Sequence, residues 1–294
     1  RKKGIRATTV TEPYRVDKVP LELLNAGYEV LGTVRNNTLI DQTKETISQH
    51  ASINKLSFVK LDLLEDEGWN EAAQNCKYIM HIASPFPFKV SNNRNSLLAP
   101  AVGGTLRVLN SGLNANVEQF IVTSSIAAMF RKPIRSNPYS FNENDWTDEN
   151  WKEGVNDYFL SKTKAEKAAW ELMDSKGLKN KLTMINPGGV FGDALDRKGG
   201  TSIEYVRKFM KGKFPAAPKW GILISDVKDV AKAHVACIGN TKVGGRRLIV
   251  GKEVKKLIEL SQIMAEAMPD YAKKLPKKEL PNFMVKLISF FDSS

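Results

Sequence analysis

The chain reads as an α/β protein built on a doubly wound parallel sheet with a smaller C-terminal lobe. Three observations predict it. Short apolar runs alternate with longer amphipathic stretches through most of the 294 residues, a pattern that places helices on both faces of parallel strands. Polar residues recur just beyond the apolar runs, at the strand ends where such sheets bind ligands. The length and a 42% apolar content suffice for a full core.

The predicted strands are "YEVLGTV" (28–34), "LSFVKLD" (56–62), "YIMHIA" (78–83), "FIVTSS" (120–125), "LTMIN" (182–186) and "RLIV" (247–250). Helical patterns lie between them at 38–50, 66–75, 97–115, 158–176 and 226–237. A helix end and a Gly27 turn precede the first of these runs, which finishes in Arg35. That is how the second strand of a dinucleotide-binding domain looks. No internal repeat or low-complexity linker interrupts the pattern.

Composition narrows the function classes. No apolar run approaches the roughly 18 to 20 residues of a membrane span, and no apolar stretch follows the basic start "RKKGIRATTV" as in a signal peptide. Two cysteines, Cys76 and Cys237, make neither a disulfide framework nor a metal cluster, which suits a reducing, cytoplasmic setting. The formal charge of +12 raises a nucleic-acid reading. Its densest parts, "KEVKK" (252–256) and "KKLPKKELP" (273–281), lie in or near helical segments without interleaved aromatics. A solvated basic surface is the expectation, with neither nucleic acid nor membrane as partner.

The strand ends carry the candidate binding residues. A cation at Arg35 suits the 2′-phosphate of NADP, where an acid would hold the ribose of NAD. Asp62 follows "FVKL", placed to accept from an adenine amino group; Ala83 and Ser84 follow "MHI"; Thr123, Ser124 and Ser125 end "FIV". The chemistry lies in "NDYFLSKTKAEKAAWELM" (156–173), where Tyr158 and Lys162 fall one helical turn apart on one face. An ammonium near a phenol favours the phenolate and brings a group of ordinary pKa about 10 toward working range. A serine hydroxyl from a neighbouring strand end would hold the same substrate oxygen. His81, inside an apolar strand, is read as a packed histidine. Trp146, Trp151 and Trp170 read as anchors, Met80, Met184 and Met210 as core filling, and Phe86 and Phe88 as pocket walls. Phe283, Phe290 and Phe291 are expected to pack from a terminal helix against the body.

These residues resemble the extended short-chain dehydrogenases/reductases, and within them the dihydroflavonol 4-reductase, cinnamoyl-CoA reductase and methylglyoxal/aldehyde reductase branch. The matching segments are "LLNAGYEVLGTVRN", "HIASPFPF", "PAVGGTLRVLNS", "FIVTSSIAAMF", "SFNENDWTDENW", "YFLSKTKAEKAAWEL", "INPGGVFGDAL" and "DVKDVAKAHVACI". The resemblance implies an NADPH-dependent reductase of aldehydes or ketones, cytoplasmic, monomeric or homodimeric. It also implies a Rossmann-type domain formed mainly by residues 1–187 and a substrate lobe formed mainly by 188–294, with 220–250 returning to the first domain. Carried over by position, Ser125 polarises the carbonyl, with Ser124 as the alternative. Tyr158 donates the proton, and Lys162 holds the nicotinamide ribose. Arg35 selects NADP, Asp62 and Leu63 meet the adenine, Ala83 lines the cleft, and Thr123, Pro187 and Val190 flank the nicotinamide. Ser202, in "GGTS", resembles a later phosphate or ribose contact.

The sequence departs from the family at two places. No glycine lies between Ile5 and Ala26, where relatives carry a "TGxxGxxG" loop against the pyrophosphate. Glu12 and Pro13 stand there instead, and Pro20 forbids a long helix before it. An altered reading of the gene, a divergence in which Arg15 or Lys18 replaces backbone amides, and a non-catalytic scaffold or sensor all remain open. The likeness also stops short at Ser294, which leaves a partly open substrate pocket as an expectation. An epimerase, dehydratase or hydroxysteroid-type dehydrogenase is the other enzymatic alternative, because the same Ser, Tyr and Lys serve them all.

Overall fold

Strands that feed helices on alternate faces of a sheet bury both of their own faces, and the strands Cys76–His81, Gln119–Thr123 and Leu182–Pro187 do so almost completely. The computed structural model describes residues 6–10, 18–83, 95–133, 139–193, 195 and 201–280. The first half runs β1 (Arg6–Val10), α1 (Lys18–Asn25), β2 (Glu29–Val34), α2 (Thr38–Ser48), β3 (Leu56–Lys60), α3 (Trp69–Ala73), β4 (Cys76–His81) and α4 (Asn95–Leu98). A π-helical turn over Ala99–Gly103 then leads into α5 (Gly104–Asn114), β5 (Gln119–Thr123), α6 (Asp157–Ser175) and β6 (Leu182–Pro187). The remainder is β7 (Gly189–Phe191), α7 (Thr201–Met210), β8 (Ala217–Pro218), β9 (Gly221–Asp226), α8 (Val227–Cys237), β10 (Arg246–Val250), β11 (Glu253–Lys256), α9 (Leu257–Ala267) and β12 (Glu279–Leu280).

Seven parallel strands form the main sheet in the order β10-β6-β5-β4-β1-β2-β3. The order reverses between β1 and β4, and the crevice at such a switch point is where doubly wound sheets take their ligands. Side-chain alternation splits the core into two layers. Ile79, Phe120, Val122 and Met184 pack with Val108, Leu109 and Met173 on one face. Met80, Ile121 and Ile185 pack with Val19, Leu23, Ile47 and Ala231 on the other. Close approach of α5 requires Gly112, where a Cβ would sit 2.3 Å from the Phe120 ring. The turn into β2 uses Gly27 at φ +88°, a left-handed conformation that glycine adopts without strain.

Each predicted strand forms, within a residue or two at its ends. Pro20 falls in the first turn of α1, where its missing amide costs no helical hydrogen bond. The predicted helix over 97–115 is divided by the π-helical turn. The structure adds to the predicted pattern α7, α9, a second sheet of order β11-β9-β7 and a two-stranded sheet of β12 and β8. β7 is half-buried, three residues long and begins with glycine, too short to show alternation, whereas β9 carries the short apolar run 222–224 between Gly221 and Ser225. "KEVKK" contributes edge strand β11 directly before α9. After β9 the chain rejoins the main sheet, α8 packing against α1 and β10 pairing with β6.

Candidate active site

Helix α6 begins where the Asn156 side chain accepts from the Phe159 amide at 3.0 Å, satisfying one of the orphan donors of a helix start. That cap fixes Tyr158 in the first turn and Lys162 one turn later. Phe130 closes edge-on against Phe159 at 5.5 Å and anchors this end of the helix. Lys162 is only 8% exposed, and its Nζ lies 6.0 Å from the centre of the Tyr158 ring. The same buried stripe continues through Ala165, Glu166, Ala169 and Met173.

The hydroxyls of the two serines beyond β5 meet different partners. Ser124, 7% exposed, donates to Glu166 Oε2 at 2.5 Å. Ser125, 8% exposed and extended at φ −163° and ψ 155°, caps the 3-10 turn Ile126–Ala128 by accepting from the Ala127 amide at 3.1 Å. Among the described residues its hydroxyl has as acceptor the Pro187 carbonyl at 3.5 Å, beyond the range of a strong hydroxyl hydrogen bond. The hydroxyl of Ser124 is therefore committed, whereas that of Ser125 keeps its donor capacity. Because α6 packs on the 3-10 turn, Ser125 and the start of the Tyr158 helix are held in one block.

The remaining strand ends differ in how tightly they are built. Arg35 is exposed just past β2. Asp62 is half-buried beyond β3, and its Oδ1 accepts from the Leu64 amide at 2.9 Å; Leu63 beside it is buried. Ala83 and Pro187 are buried at the ends of β4 and β6. Val190 in β7 and Ser202 in the first turn of α7 are half-buried. Thr123 Oγ1 donates to His234 Nε2 at 2.7 Å, since His234 Nδ1 spends its proton on the Val230 carbonyl at 2.7 Å. The structure thus turns the Thr123 hydroxyl toward α8. Ser84, Phe86, Phe88, Glu12, Pro13, Arg15, Phe283, Phe290 and Phe291 lie outside the described residues.

His81 is buried, and burial together with the Lys162 charge holds its pKa down at about 3. Thr105 donates to the Ala101 carbonyl at 2.7 Å, so its oxygen is left to accept from His81 Nε2 at 3.2 Å. The imidazole is thus a neutral, packed group. Met80 and Met184 are fully buried and Met210 half-buried. Trp170 donates to Glu166 at 3.3 Å, Trp146 lies beneath the Arg247 guanidinium at 3.8 Å, and Trp151 is half-buried.

The sequence reading missed a buried polar knot behind the serines. Arg247 Nε donates to Glu166 Oε1 at 2.6 Å, and Asn186 Nδ2 donates to Glu166 Oε2 at 2.9 Å and to the Ser125 carbonyl at 3.2 Å. Arg247 Nη1 also donates to the carbonyls of Glu143 at 3.0 Å and Asp145 at 2.5 Å. One signal for Glu166 was available: it continues the i, i+4 spacing of Tyr158 and Lys162 onto the packed face of α6. Arg247, 81 positions away, had none.

Among the described residues, no helix is long and apolar enough to cross a membrane. Residues 19–251 match the NAD dependent epimerase/dehydratase family. Among curated proteins, Cinnamoyl-CoA reductase 1 of Arabidopsis thaliana is 33% identical over 259 residues, covering 87% of this chain and 72% of the relative. NADPH-dependent methylglyoxal reductase GRE2 of Saccharomyces cerevisiae is 31% identical over 268 residues, covering 84% and 78%. Among solved structures, yeast methylglyoxal/isovaleraldehyde reductase Gre2 complexed with NADPH superposes with a TM-score of 0.81 at 27% identity, over 93% of this chain and 85% of that one. Switch-point topology, the Ser125, Tyr158 and Lys162 block, and these matches agree that the chain belongs to the NAD dependent epimerase/dehydratase family, the extended short-chain dehydrogenases/reductases.

Proposed function

We propose that this chain is an NADPH-dependent reductase that converts an aldehyde or ketone to an alcohol. The observation that carries the reading is the block formed by Tyr158, Lys162 and Ser125, in which Ser125 alone of the two serines keeps its hydroxyl available. The donor set fits the cofactor at both ends. Arg35 offers a cation for a 2′-phosphate, Asp62 and Leu63 stand for the adenine, and the buried Lys162 ammonium serves the nicotinamide ribose. Ala83, Thr123, Pro187 and Val190 line the nicotinamide side, and Ser202 makes a later phosphate or ribose contact. When bound, NADPH supplies the hydride.

The chain's own residues do the rest. Tyr158 gives its hydroxyl proton to the carbonyl oxygen as that oxygen gains negative charge. The Lys162 ammonium stabilises the phenolate left behind. Ser125 Oγ donates a hydrogen bond to the same oxygen and holds the substrate against the tyrosine. Residues 1–187 mainly hold the cofactor, and 188–294 mainly shape the substrate side, with α8 and β10 rejoining the first part.

The missing glycines between Ile5 and Ala26 sharpen the test. Titration with NADPH, followed by nicotinamide fluorescence and with NADH as control, should show micromolar, NADPH-selective binding. Carbonyl-dependent oxidation of NADPH should accompany it across an aldehyde and ketone panel. No binding at millimolar cofactor would overturn the reading and favour a scaffold that has given up the cofactor.

A further inference from the structure

The residue behind the two serines is a carboxylate with no room for water. Glu166 has a side chain that is 0% exposed, and its two oxygens receive Arg247, Ser124, Asn186 and Trp170. Such a charge, buried with one partner removed, is costly, so the knot holds its members in one arrangement. It also joins every element that supplies the reacting groups. Glu166 stands on the same face of α6 as Tyr158 and Lys162, at successive four-residue steps. Ser124 is the neighbour of Ser125, and Asn186 reaches both Glu166 and the Ser125 carbonyl. Arg247 closes the knot from β10 and ties in the segment carrying Glu143, Asp145 and Trp146.

We propose that the buried Glu166–Arg247 pair is a positioning device that fixes the β5 end against α6, so that the Ser125 hydroxyl faces Tyr158. The pair touches neither substrate nor cofactor. Glu166 sets the depth of the strand end by holding Ser124, and because Ser125 is the next residue and its carbonyl is held by the same Asn186, the grip on one serine fixes the position of the other. Arg247 holds Glu166 in place, and Asn186 carries the constraint to the backbone of Ser125. The catalytic role of this arrangement rests on the reductase reading above; the positional role does not.

Two variants and two readouts test it. Ser124→Ala removes one hydroxyl from a site that remains packed, and Glu166→Gln removes the charge while keeping the shape. Each should lower kcat about tenfold while KM for the carbonyl and the dissociation constant for NADPH change less than twofold. Amide hydrogen exchange at Ala127, whose N–H rests on Ser125 Oγ, should accelerate about tenfold while the core amides of β4 hold their rates. The double variant should lose no more than the worse single variant, because both act through one link. Ala127 exchange within twofold of the native rate in both single variants, or losses that multiply in the double variant, would overturn the proposal. If Glu166→Gln does not fold, Ser124→Ala decides alone by the same two readouts. A native chain that turns over no carbonyl sinks the reductase reading, and Ala127 exchange still decides the positional role.

Discussion

The two sides of the main sheet's carboxyl edge are built to different standards. On the β5 and β6 side, Ser124, Ser125, Lys162 and Asn186 are each less than one-tenth exposed, and the Glu166 knot ties Ser124, Ser125 and Asn186 to α6 and β10. On the β2 and β3 side, Arg35 is exposed and Asp62 half-buried, held by a local turn to Leu64. The difference teaches where geometry matters. A proton donor misplaced by an ångström loses its effect, whereas a cation meeting a phosphate tail tolerates movement and can be left on the solvated surface.

That contrast can be broken or sharpened by experiment. The largest effect should come from Tyr158→Phe, which deletes the proton donor and leaves the ring: turnover should fall about 10³-fold while NADPH affinity in the fluorescence titration stays within twofold. Persistent turnover would remove Tyr158 from the mechanism and with it the special status of this side. Next, Arg247→Ala should lower stability by about 3–5 kcal/mol in urea unfolding, because it strands Glu166 in the interior. Arg35→Ala should change the unfolding free energy by less than about 0.5 kcal/mol, as surface substitutions do.

Acid provides a milder probe of the buried side. His81 and His234 are held neutral by burial, with pKa values down at about 3 and about 4. For His81 the Lys162 charge adds to burial; for His234 the bond to the Val230 carbonyl opposes it. An unfolded chain binds these protons near pH 6.5, so it takes up more protons than the folded one as pH falls. Each histidine therefore contributes stability that is present above about pH 6.5 and is lost on acidification toward its folded pKa. Urea unfolding should show a loss of about 1.4 kcal/mol per histidine on going from pH 7.5 to 5.5, and His234→Gln should remove one such share of the slope. A flat profile in the native chain would mean that these imidazoles are not the buried neutral groups the structure shows.

The smallest expected effect belongs to the exposed side. Arg35→Glu should weaken NADPH about tenfold and NADH by less than about twofold, since only the former carries the 2′-phosphate. Equal weakening of both would move phosphate selection elsewhere on the edge.

By itself the sequence determined the strand and helix alternation, the parallel sheet, and the candidates at the strand ends. These are local properties: an apolar run such as "FIVTSS" states a buried strand, and Tyr158 and Lys162 declare their shared face by a four-residue spacing. The three-stranded sheet of β11, β9 and β7 went unread because the three residues of β7 and the mostly exposed, Lys-rich β11 carry no period, and the short run 222–224 of β9 does not state its partners. The family resemblance ranked Ser125 over Ser124 by position alone; tertiary structure supplied the physical difference, Glu166 claiming the Ser124 hydroxyl. Only tertiary structure turned Thr123 to His234, 111 positions away, and paired Glu166 with Arg247. Spacing along a chain encodes which face a residue takes within its own element; which distant residue meets that face is settled when sheet and helices close on one another and burial puts a cost on each polar group that lacks a partner.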